Sequence, residues 1–250
     1  MVTLQVPYHL DEYLPDLDFP LGNATVITAE MPHGDTWARL AVLYRQVAGA
    51  VASTVQQGRR PVVLSGDCTT ALGTVAGLQH AGMDPGIVWF DAHGDVQTLE
   101  TTASGYLGGL PLRLLVGYRP GLIATELGLR PVAEQRVVLA GARDLDPPEI
   151  TYLDQALIGR AKVPELDVAA LPDGPLYVHL DLDVIDSGAV PGLRYPAPGG
   201  PGCAQVAAAL GALLATRRVA AVGIACTWHP GHAAAAVVDP HLKAVLAAAG

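Results

Sequence analysis

Charged and aromatic side chains are scarce in this sequence. Only 16% of the 250 residues are Asp, Glu, Lys or Arg, only 5% are Phe, Trp or Tyr, and half are hydrophobic. A chain of this composition can bury a large core, so intrinsic disorder is excluded. Basic residues are rarer than acidic residues. The chain has 15 Lys and Arg against 24 Asp and Glu, which gives a net charge of −9. We therefore expect neither a nucleic-acid partner nor an anionic membrane, because both are bound through basic surfaces.

Cysteines and targeting segments are few as well. The three cysteines, Cys68, Cys203 and Cys226, cannot all pair, and a chain of this length needs no disulfide. The first ten residues contain neither a basic nor a long apolar segment, so no signal peptide is expected. The alanine-rich segment 233–249 is interrupted by polar residues, unlike a membrane span. These features predict a cytoplasmic protein with reduced thiols and no membrane partner.

Short runs rich in β-branched residues alternate with longer helical patterns along the chain. This alternation is typical of a mainly parallel sheet covered by helices on both faces, so we predict a single three-layer α/β/α domain over residues 1–250. The predicted strands are Ala24–Thr28, Pro61–Leu64, Gly86–Phe90, Arg136–Ala140, Leu176–Leu182 and Val219–Cys226. The predicted helices are Thr36–Gln57, Thr69–His80, Leu107–Val116, Pro147–Leu157, Cys203–Arg217 and Leu242–Ala249.

Acidic residues follow three of the predicted strands. They are Asp67, Asp91, Asp95, Asp181 and Asp183, with Cys68 and His93 beside them. Ligands of open α/β sheets bind at the carboxyl ends of strands, and strand residues two apart share a face. Carboxylates gathered there repel one another unless cations lie among them, and carboxylates with an imidazole suit Mn²⁺, Zn²⁺ or Fe²⁺. The alternative is that each acidic pair is a turn or a solvated strand end.

Three segments in this order resemble motifs of the arginase, agmatinase and formimidoylglutamase family. Ser65–Thr69 resembles the family's Gly-Gly-Asp-His-Ser, Phe90–Asp95 resembles its Asp-Ala-His-x-Asp element, and Leu180–Asp186 resembles its Phe-Asp-x-Asp-x-x-Asp element. The resemblance covers roughly residues 60–232. It implies an arginase-like fold, two divalent metal ions per chain with Mn²⁺ the first expectation, and hydrolysis of a guanidino or amidino carbon.

The resemblance also implies which residues bind the metal ions. One ion would be held by Cys68, Asp91, Asp95 and Asp181, and the other by Asp91, His93, Asp181 and Asp183. A hydroxide bridging the two ions would attack the substrate, because metal coordination lowers the pKa of water, and Asp95 would pass its proton to the leaving amine. Cys68 stands where the family has a histidine, and a thiolate favours Zn²⁺ or Fe²⁺ over Mn²⁺. The alternative for Cys68 is a small buried residue beside a weak or empty site.

The implied substrate-binding residues indicate an amino-acid-like substrate. In segments that resemble the family's Thr-Thr-x-Ser-Gly and Arg-Asp-Val-Asp-Pro, Ser104 would hold an α-carboxylate and Asp146 an α-ammonium group. Gln97 stands where arginases commonly have an asparagine, and Glu149 matches a nearby acid. Without the resemblance, Ser104 and Asp146 would be interpreted as a turn hydrogen bond and a helix N-cap.

Two family residues at the reacting end are replaced. Thr227 stands where arginases carry a glutamate that binds the guanidinium group, and Gly108 stands where they carry a histidine for proton transfer. His229 and His232 follow the last predicted strand, so we predict that they reach the site and act in acid–base chemistry. His179 shares a strand face with a metal-ligand carboxylate and is predicted to orient it. For each histidine the alternative is a structural hydrogen bond.

These residues favour a dinuclear-metal amidinohydrolase that acts on arginine or N-hydroxyarginine and releases urea or hydroxyurea. A second reading is hydrolysis of a formimino or other amide-like C–N bond by the same family. A third is a member that has lost catalysis and serves a binding role, which the replacements at Cys68, Gly108 and Thr227 would fit. The deacetylase relatives of this fold match the motifs less well. Family members often form trimers or hexamers, so the resemblance also implies a homo-oligomer.

Overall fold

A parallel sheet of eight strands organises the computed structural model, which describes residues 1–249. Its strands are β1 (Val2–Val6), β4 (Thr25–Val26), β5 (Pro61–Ser65), β6 (Gly86–Phe90), β7 (Val137–Ala140), β8 (Gly159–Ala161), β9 (Leu176–Asp181) and β10 (Val219–Ala225). A separate antiparallel hairpin consists of β2 (Tyr8–His9) and β3 (Glu12–Tyr13). The order in the sheet is β4-β1-β5-β10-β9-β6-β7-β8, and every neighbouring pair is parallel.

Helices cover both faces of this sheet. They are α1 (Thr36–Gln56), α2 (Ala71–His80), α3 (Pro111–Leu115), α4 (Ala124–Leu127), α5 (Pro147–Leu153), α6 (Cys203–Ala215) and α7 (Ala234–Ala248). Val63 and Trp89 pack in one apolar cluster with α1 and α2, whereas their strand neighbours Leu64 and Phe90 pack in another with α6 and α7. Successive strand residues point to opposite faces, so the two clusters lie on opposite sides of the sheet. The predicted architecture is confirmed. Among residues 1–249, no helix has the length and apolar character needed to cross a bilayer.

The elements differ from prediction mainly at the chain ends and at the edges of the sheet. Strands β1 and β8 were not predicted; β8 has three residues and is largely exposed, so it lacks an apolar pattern. Helix α7 begins at Ala234 rather than Leu242, because Pro240 lies inside the helix instead of before it. The helix predicted from Thr69 starts as a 3-10 turn over Cys68–Thr70, which leads directly into α2.

Helix α2 packs against α1 through glycines. A Cβ atom on Gly77 would lie 2.6 Å from the Ala48 carbonyl oxygen and 2.7 Å from the Val51 Cβ. A Cβ atom on Gly73 would lie 2.9 Å from the Tyr44 carbonyl oxygen. No side chain fits between the helices, so their backbones approach closely. Because α2 continues the turn that carries Cys68, this packing helps to fix the position of that residue.

We expect the same substitution to have opposite effects at two glycines of these helices. Gly77→Ala overpacks the interface and should lower the free energy of unfolding by about 1–3 kcal/mol. Gly49 lies on the exposed side of α1 with open space around its Cβ position. Gly49→Ala should therefore raise the free energy of unfolding by about 0.5–1 kcal/mol, since alanine favours the helix. Chemical denaturation of both variants measures these changes, and equal stability of the two would contradict the close packing.

Candidate metal centre

The residues predicted to bind metal ions converge at the carboxyl edge of the central strands. The neighbours β5, β10, β9 and β6 end side by side there, although long chain segments separate them in sequence. The ligand atoms of Cys68, Asp91 and Asp181 lie within 4.8 Å of one another. The ligand atoms of Asp91, His93 and Asp183 also lie within 4.8 Å of one another and form a second group. The two groups share Asp91, whereas Asp181 belongs only to the first.

Asp91 lies at the centre of this arrangement and is almost fully buried. Its Oδ1 lies 3.3 Å from His93 Nδ1, and its Oδ2 accepts a 3.0 Å hydrogen bond from Trp89 Nε1. Burial opposes the charge on Asp91, but hydrogen bonds and positive charge from His93 outweigh it and lower the pKa of this carboxyl group. Asp91 is therefore ionised and places a negative charge between the two ligand groups.

His93 bridges two carboxylates through one nitrogen. Its Nδ1 lies 3.1 Å from Asp183 Oδ2 as well as near Asp91. Burial works against protonation of His93, but the hydrogen bonds to Asp183 and then Asp91 raise its pKa to about 12. Burial, followed by the charge of Asp91, raises the pKa of Asp183 to about 6. A metal ion at Nδ1 would replace the imidazole proton, because metal ligands bind in their deprotonated form.

Cys68 and Asp181 are in direct contact. The Cys68 Sγ lies 2.8 Å from Asp181 Oδ2 and 3.9 Å from Asp91 Oδ2. Burial, followed by the charge of Asp181, raises the pKa of the Cys68 thiol. Burial, followed by the charges of Asp183 and Asp91, raises the pKa of Asp181. The thiol and the carboxyl group compete for negative charge, and a divalent cation between them would stabilise both anions.

Asp95 combines an uncommon backbone conformation with an unpaired oxygen. Its φ angle of 54° lies in the left-handed region, which few residues other than glycine adopt. Its Oδ2 is buried and has no hydrogen-bond partner, although buried polar atoms are normally paired. Burial, followed by the charges of Asp91 and Asp181, raises the pKa of Asp95. Asp95 belongs to neither ligand group but has an oxygen free for a ligand or a proton.

A cavity of about 170 Å³ brings the predicted site residues together. Its walls include all six predicted metal ligands: Cys68, Asp91, His93, Asp95, Asp181 and Asp183. All five predicted substrate-side residues line it too: Gln97, Ser104, Asp146, Glu149 and Thr227. Tyr106 and Tyr195, to which the sequence analysis gave no role, complete the wall together with small or polar residues. No motif marks these tyrosines, and only the cavity reveals them.

Hydrogen bonds show that some of the predicted substrate-binding residues form a polar pair in the cavity wall, whereas Glu149 holds the backbone of that wall. Asp146 caps α5 and accepts a 2.9 Å hydrogen bond from Gln97 Nε2 at Oδ2. Glu149 accepts backbone N–H groups of Asp146 and Val96 at 3.1 and 3.3 Å. Glu149 thereby ties the start of α5 to the loop that follows Asp95. Gln97 and Asp146 form a polar pair at the wall, whereas Glu149 holds the wall in place.

Thr227 lines the cavity and also forms a hydrogen bond with a predicted metal ligand. Its hydroxyl donates a 2.6 Å hydrogen bond to Asp181 Oδ1, which also accepts the backbone N–H of Asp183 at 2.8 Å. The threonine is buried and lies two residues after the end of β10. A neutral donor in this position fixes the orientation of Asp181. The sequence could not show this contact, because the two residues lie on different strands.

The structure does not bring His229 and His232 to the cavity, so their predicted acid–base role needs correction. Both are exposed, and neither lines the cavity. The indole of Trp228 is buried and donates a 3.1 Å hydrogen bond to the Asp18 carbonyl oxygen. With Trp228 turned inward, the following residues run out to the surface, and His229 N–H bonds the Gly192 carbonyl oxygen.

His179 contacts the site indirectly, through Trp89. Its ring stacks on Trp89 with centroids 3.7 Å apart, and its Nδ1 lies 3.1 Å from the Tyr177 hydroxyl. Burial lowers the pKa of His179 to about 3, so the imidazole is neutral. The stack holds the indole of Trp89, which donates to Asp91. The predicted contact with a carboxylate is thus made through Trp89, a residue that the sequence analysis did not single out.

Comparison with known proteins gives a consistent result. Residues 4–227 match the family described as the Arginase family. The arginase of Bacillus caldovelox is 35% identical over 201 residues, covering 73% of this chain and 66% of its own sequence. The arginase of Bacillus subtilis strain 168 is 32% identical over 212 residues, covering 77% of this chain and 71% of its own.

A solved structure adds agreement over nearly the whole chain. The structure of the arginase from Bacillus caldovelox superposes with a TM-score of 0.83 at 26% identity, and the alignment covers 98% of this chain and 97% of that one. The sequence relationship and the shared architecture agree with the motifs at the carboxyl edge of the sheet. This chain belongs to the arginase family.

Proposed function

We propose that the protein is a dinuclear-metal amidinohydrolase acting on an arginine-like substrate. It would hydrolyse the guanidino C–N bond of arginine or N-hydroxyarginine and release urea or hydroxyurea. The observation that carries the proposal is a pair of ligand groups sharing Asp91 in the wall of a cavity. The arginases among the relatives support the reaction class. The cytoplasmic location and a trimeric or hexameric assembly stay predictions.

The donor set fits two divalent metal ions. Buried carboxylates with one imidazole and one thiol are ligands for transition metals, and the unpaired Asp95 Oδ2 supplies a further donor. We assign Cys68, Asp91, Asp95 and Asp181 to one ion and Asp91, His93, Asp181 and Asp183 to the other. Mn²⁺ is the family expectation, and the thiol of Cys68 favours Zn²⁺ or Fe²⁺ at its position. Bound metal ions neutralise the carboxylates and make water acidic enough to act as a nucleophile near neutral pH.

The protein's own side chains would carry the proton and hold the substrate. Asp95 has two carboxylate oxygens, so one can bind a metal ion while the other accepts a proton from the attacking water and delivers it to the leaving nitrogen. The carboxylate of Asp146 would bind the α-ammonium group, while the hydroxyl of Ser104 would donate to the α-carboxylate. Thr227 would keep Asp181 oriented through its 2.6 Å hydrogen bond.

A formimino or other amide-like C–N hydrolase is the second candidate. Thr227 has no carboxylate, and its hydroxyl hydrogen is donated to Asp181, so this position offers no negative charge to a guanidinium group. A cation that loses a charged partner is bound less tightly by a few kcal/mol. This favours a less basic group, such as an N-hydroxyguanidine or a formimino group, over plain arginine.

Metal content and substrate screening test the proposal directly. Protein prepared with Mn²⁺ or with Zn²⁺ should contain about two ions per chain by elemental analysis. Ions that bind only the folded state should also raise the melting temperature. Arginine, N-hydroxyarginine, agmatine and formimidoylglutamate are then assayed for release of urea, hydroxyurea or formamide. Less than about one ion per chain in every preparation, together with no hydrolysis, would favour a binding role.

Asp91→Asn should remove metal and activity together, because Asp91 belongs to both ligand groups. The amide keeps the shape of the side chain but loses the charge that the ions need. Asp84→Asn is the matched control, since Asp84 is exposed and its side chain forms a surface ion pair with Arg130. We expect the control to retain its metal and its activity. Full activity in Asp91→Asn would disprove the two-metal assignment.

Cys68→His should shift the metal preference toward Mn²⁺, because an imidazole replaces the softer thiolate. The measurement is the ratio of activity with Mn²⁺ to activity with Zn²⁺, supported by metal content. Cys203→Ser removes a thiol from the first turn of α6 and should leave that ratio unchanged. An identical ratio in Cys68→His and the wild type would show that Cys68 is not a ligand.

A further inference from the structure

A buried histidine and a tyrosine are stacked at one wall of the cavity. The rings of His9 and Tyr106 are nearly parallel, with centroids 5.6 Å apart and planes inclined by 11°. The Tyr106 hydroxyl lies 3.3 Å from His9 Nε2, and His9 Nδ1 lies 2.9 Å from the Gly66 carbonyl oxygen. His9 comes from the β2–β3 hairpin and is only 8% exposed. The two residues are 97 positions apart in the chain and meet only in the fold.

The hydrogen bonds fix the direction of the protons in this pair. A carbonyl oxygen only accepts, so the bond to Gly66 requires a hydrogen on His9 Nδ1. The neutral imidazole then has its lone pair at Nε2, which accepts the hydroxyl hydrogen of Tyr106. Burial, followed by the charge of Asp67, raises the pKa of Tyr106 well above its ordinary value, so the phenol keeps its proton. The Tyr106 hydroxyl therefore donates its hydrogen to His9, and its oxygen keeps lone pairs that can accept a hydrogen bond in a residue that lines the cavity.

The tyrosine lies at the metal end of the cavity. The 3-10 turn Leu107–Gly109 directly follows Tyr106 and packs against the turn that carries Cys68. A Cβ atom on Gly108 would lie 2.2 Å from the Tyr106 hydroxyl, so glycine leaves the space that the phenol occupies. The phenol is thus held in the cavity wall beside the turn that carries Cys68.

We propose that Tyr106 binds an N–H donor of the substrate's guanidino or amidino group through its phenol oxygen, and that His9 positions the hydroxyl for this contact. The inference rests on the proposed amidinohydrolase function and names a residue that selects its substrate. An acceptor at this wall favours substrate groups that present N–H donors. Carbonyl oxygens and N-methylated analogues are disfavoured, because they leave the Tyr106 oxygen without a hydrogen-bond donor. Tyr106 touches the substrate, and His9 acts only through Tyr106.

Kinetics of Tyr106→Phe test the contact, because phenylalanine keeps the ring and removes the oxygen. We expect KM for the best guanidino or amidino substrate to rise about 10- to 100-fold, with metal content unchanged. His9→Phe keeps the stacking ring and removes Nε2, so KM should rise by less. Tyr13→Phe, on the exposed part of the same hairpin, is the control and should keep wild-type kinetics.

The double variant separates positioning from a general structural effect. If His9 acts through the hydroxyl, His9→Phe should cause no further rise in KM once Tyr106 is phenylalanine. Additive effects of the two substitutions would overturn the role of His9. A wild-type KM in Tyr106→Phe would overturn the substrate contact.

Nitrogen-15 NMR of His9 separates this inference from the proposed activity, because it needs no substrate. The difference between wild-type and His9→Phe spectra identifies the His9 signals among the eight histidines of the chain. We expect the tautomer protonated at Nδ1, with an Nε2 shift that changes in Tyr106→Phe. The opposite tautomer would overturn the arrangement itself. The expected tautomer in a protein that hydrolyses none of the four test compounds would overturn the proposed function and the substrate contact, while the orientation of Tyr106 would stand.

Discussion

Repulsion among buried carboxylates is the constraint on which the rest of the site depends. Asp91, Asp95, Asp181 and Asp183 are each at most 5% exposed at one edge of the sheet. Burial raises the pKa values of Asp95, Asp181 and Asp183, whereas hydrogen bonds and charge from His93 lower the pKa of Asp91. A cluster of four buried carboxylates that repel one another cannot stabilise the fold by itself. The stability must come from the two apolar clusters on the faces of the sheet, which leave the edge free to gather like charges.

Beside His93, two neutral donors help to hold the carboxylates in position. Trp89 donates to Asp91, and Thr227 donates to Asp181. Arg143 lies close by but directs its guanidinium to backbone carbonyl oxygens, including those of Val184 and Ala197. The contacts of Trp89 and Thr227 therefore orient Asp91 and Asp181 without adding positive charge. The negative charge that His93 does not balance remains available to attract divalent ions.

The central strands and the predicted metal ligands could be predicted from the sequence, because each is specified by a short segment. Central strands such as β6 and β9 are buried on both faces, so they are visible as apolar runs, and the ligands follow them directly. Contacts between distant segments were not predictable. Whether Thr227 bonds a substrate or Asp181 depends on the neighbouring strand, and the direction of His229 depends on the inward turn of Trp228. The pairing of His9 with Tyr106 likewise needs the hairpin to pack against a segment 97 residues away.

The shared position of Asp91 has a thermodynamic consequence. Two sites with a common ligand cannot fill as independent events, because occupancy of one changes the charge and orientation that the other encounters. By linkage, each ion alters the affinity for its neighbour by the same factor. The fraction of half-filled protein at a given metal concentration is then set by this coupling as well as by the two separate affinities. If both groups bind metal ions, the response of the enzyme to metal supply would therefore depend on the coupling through Asp91.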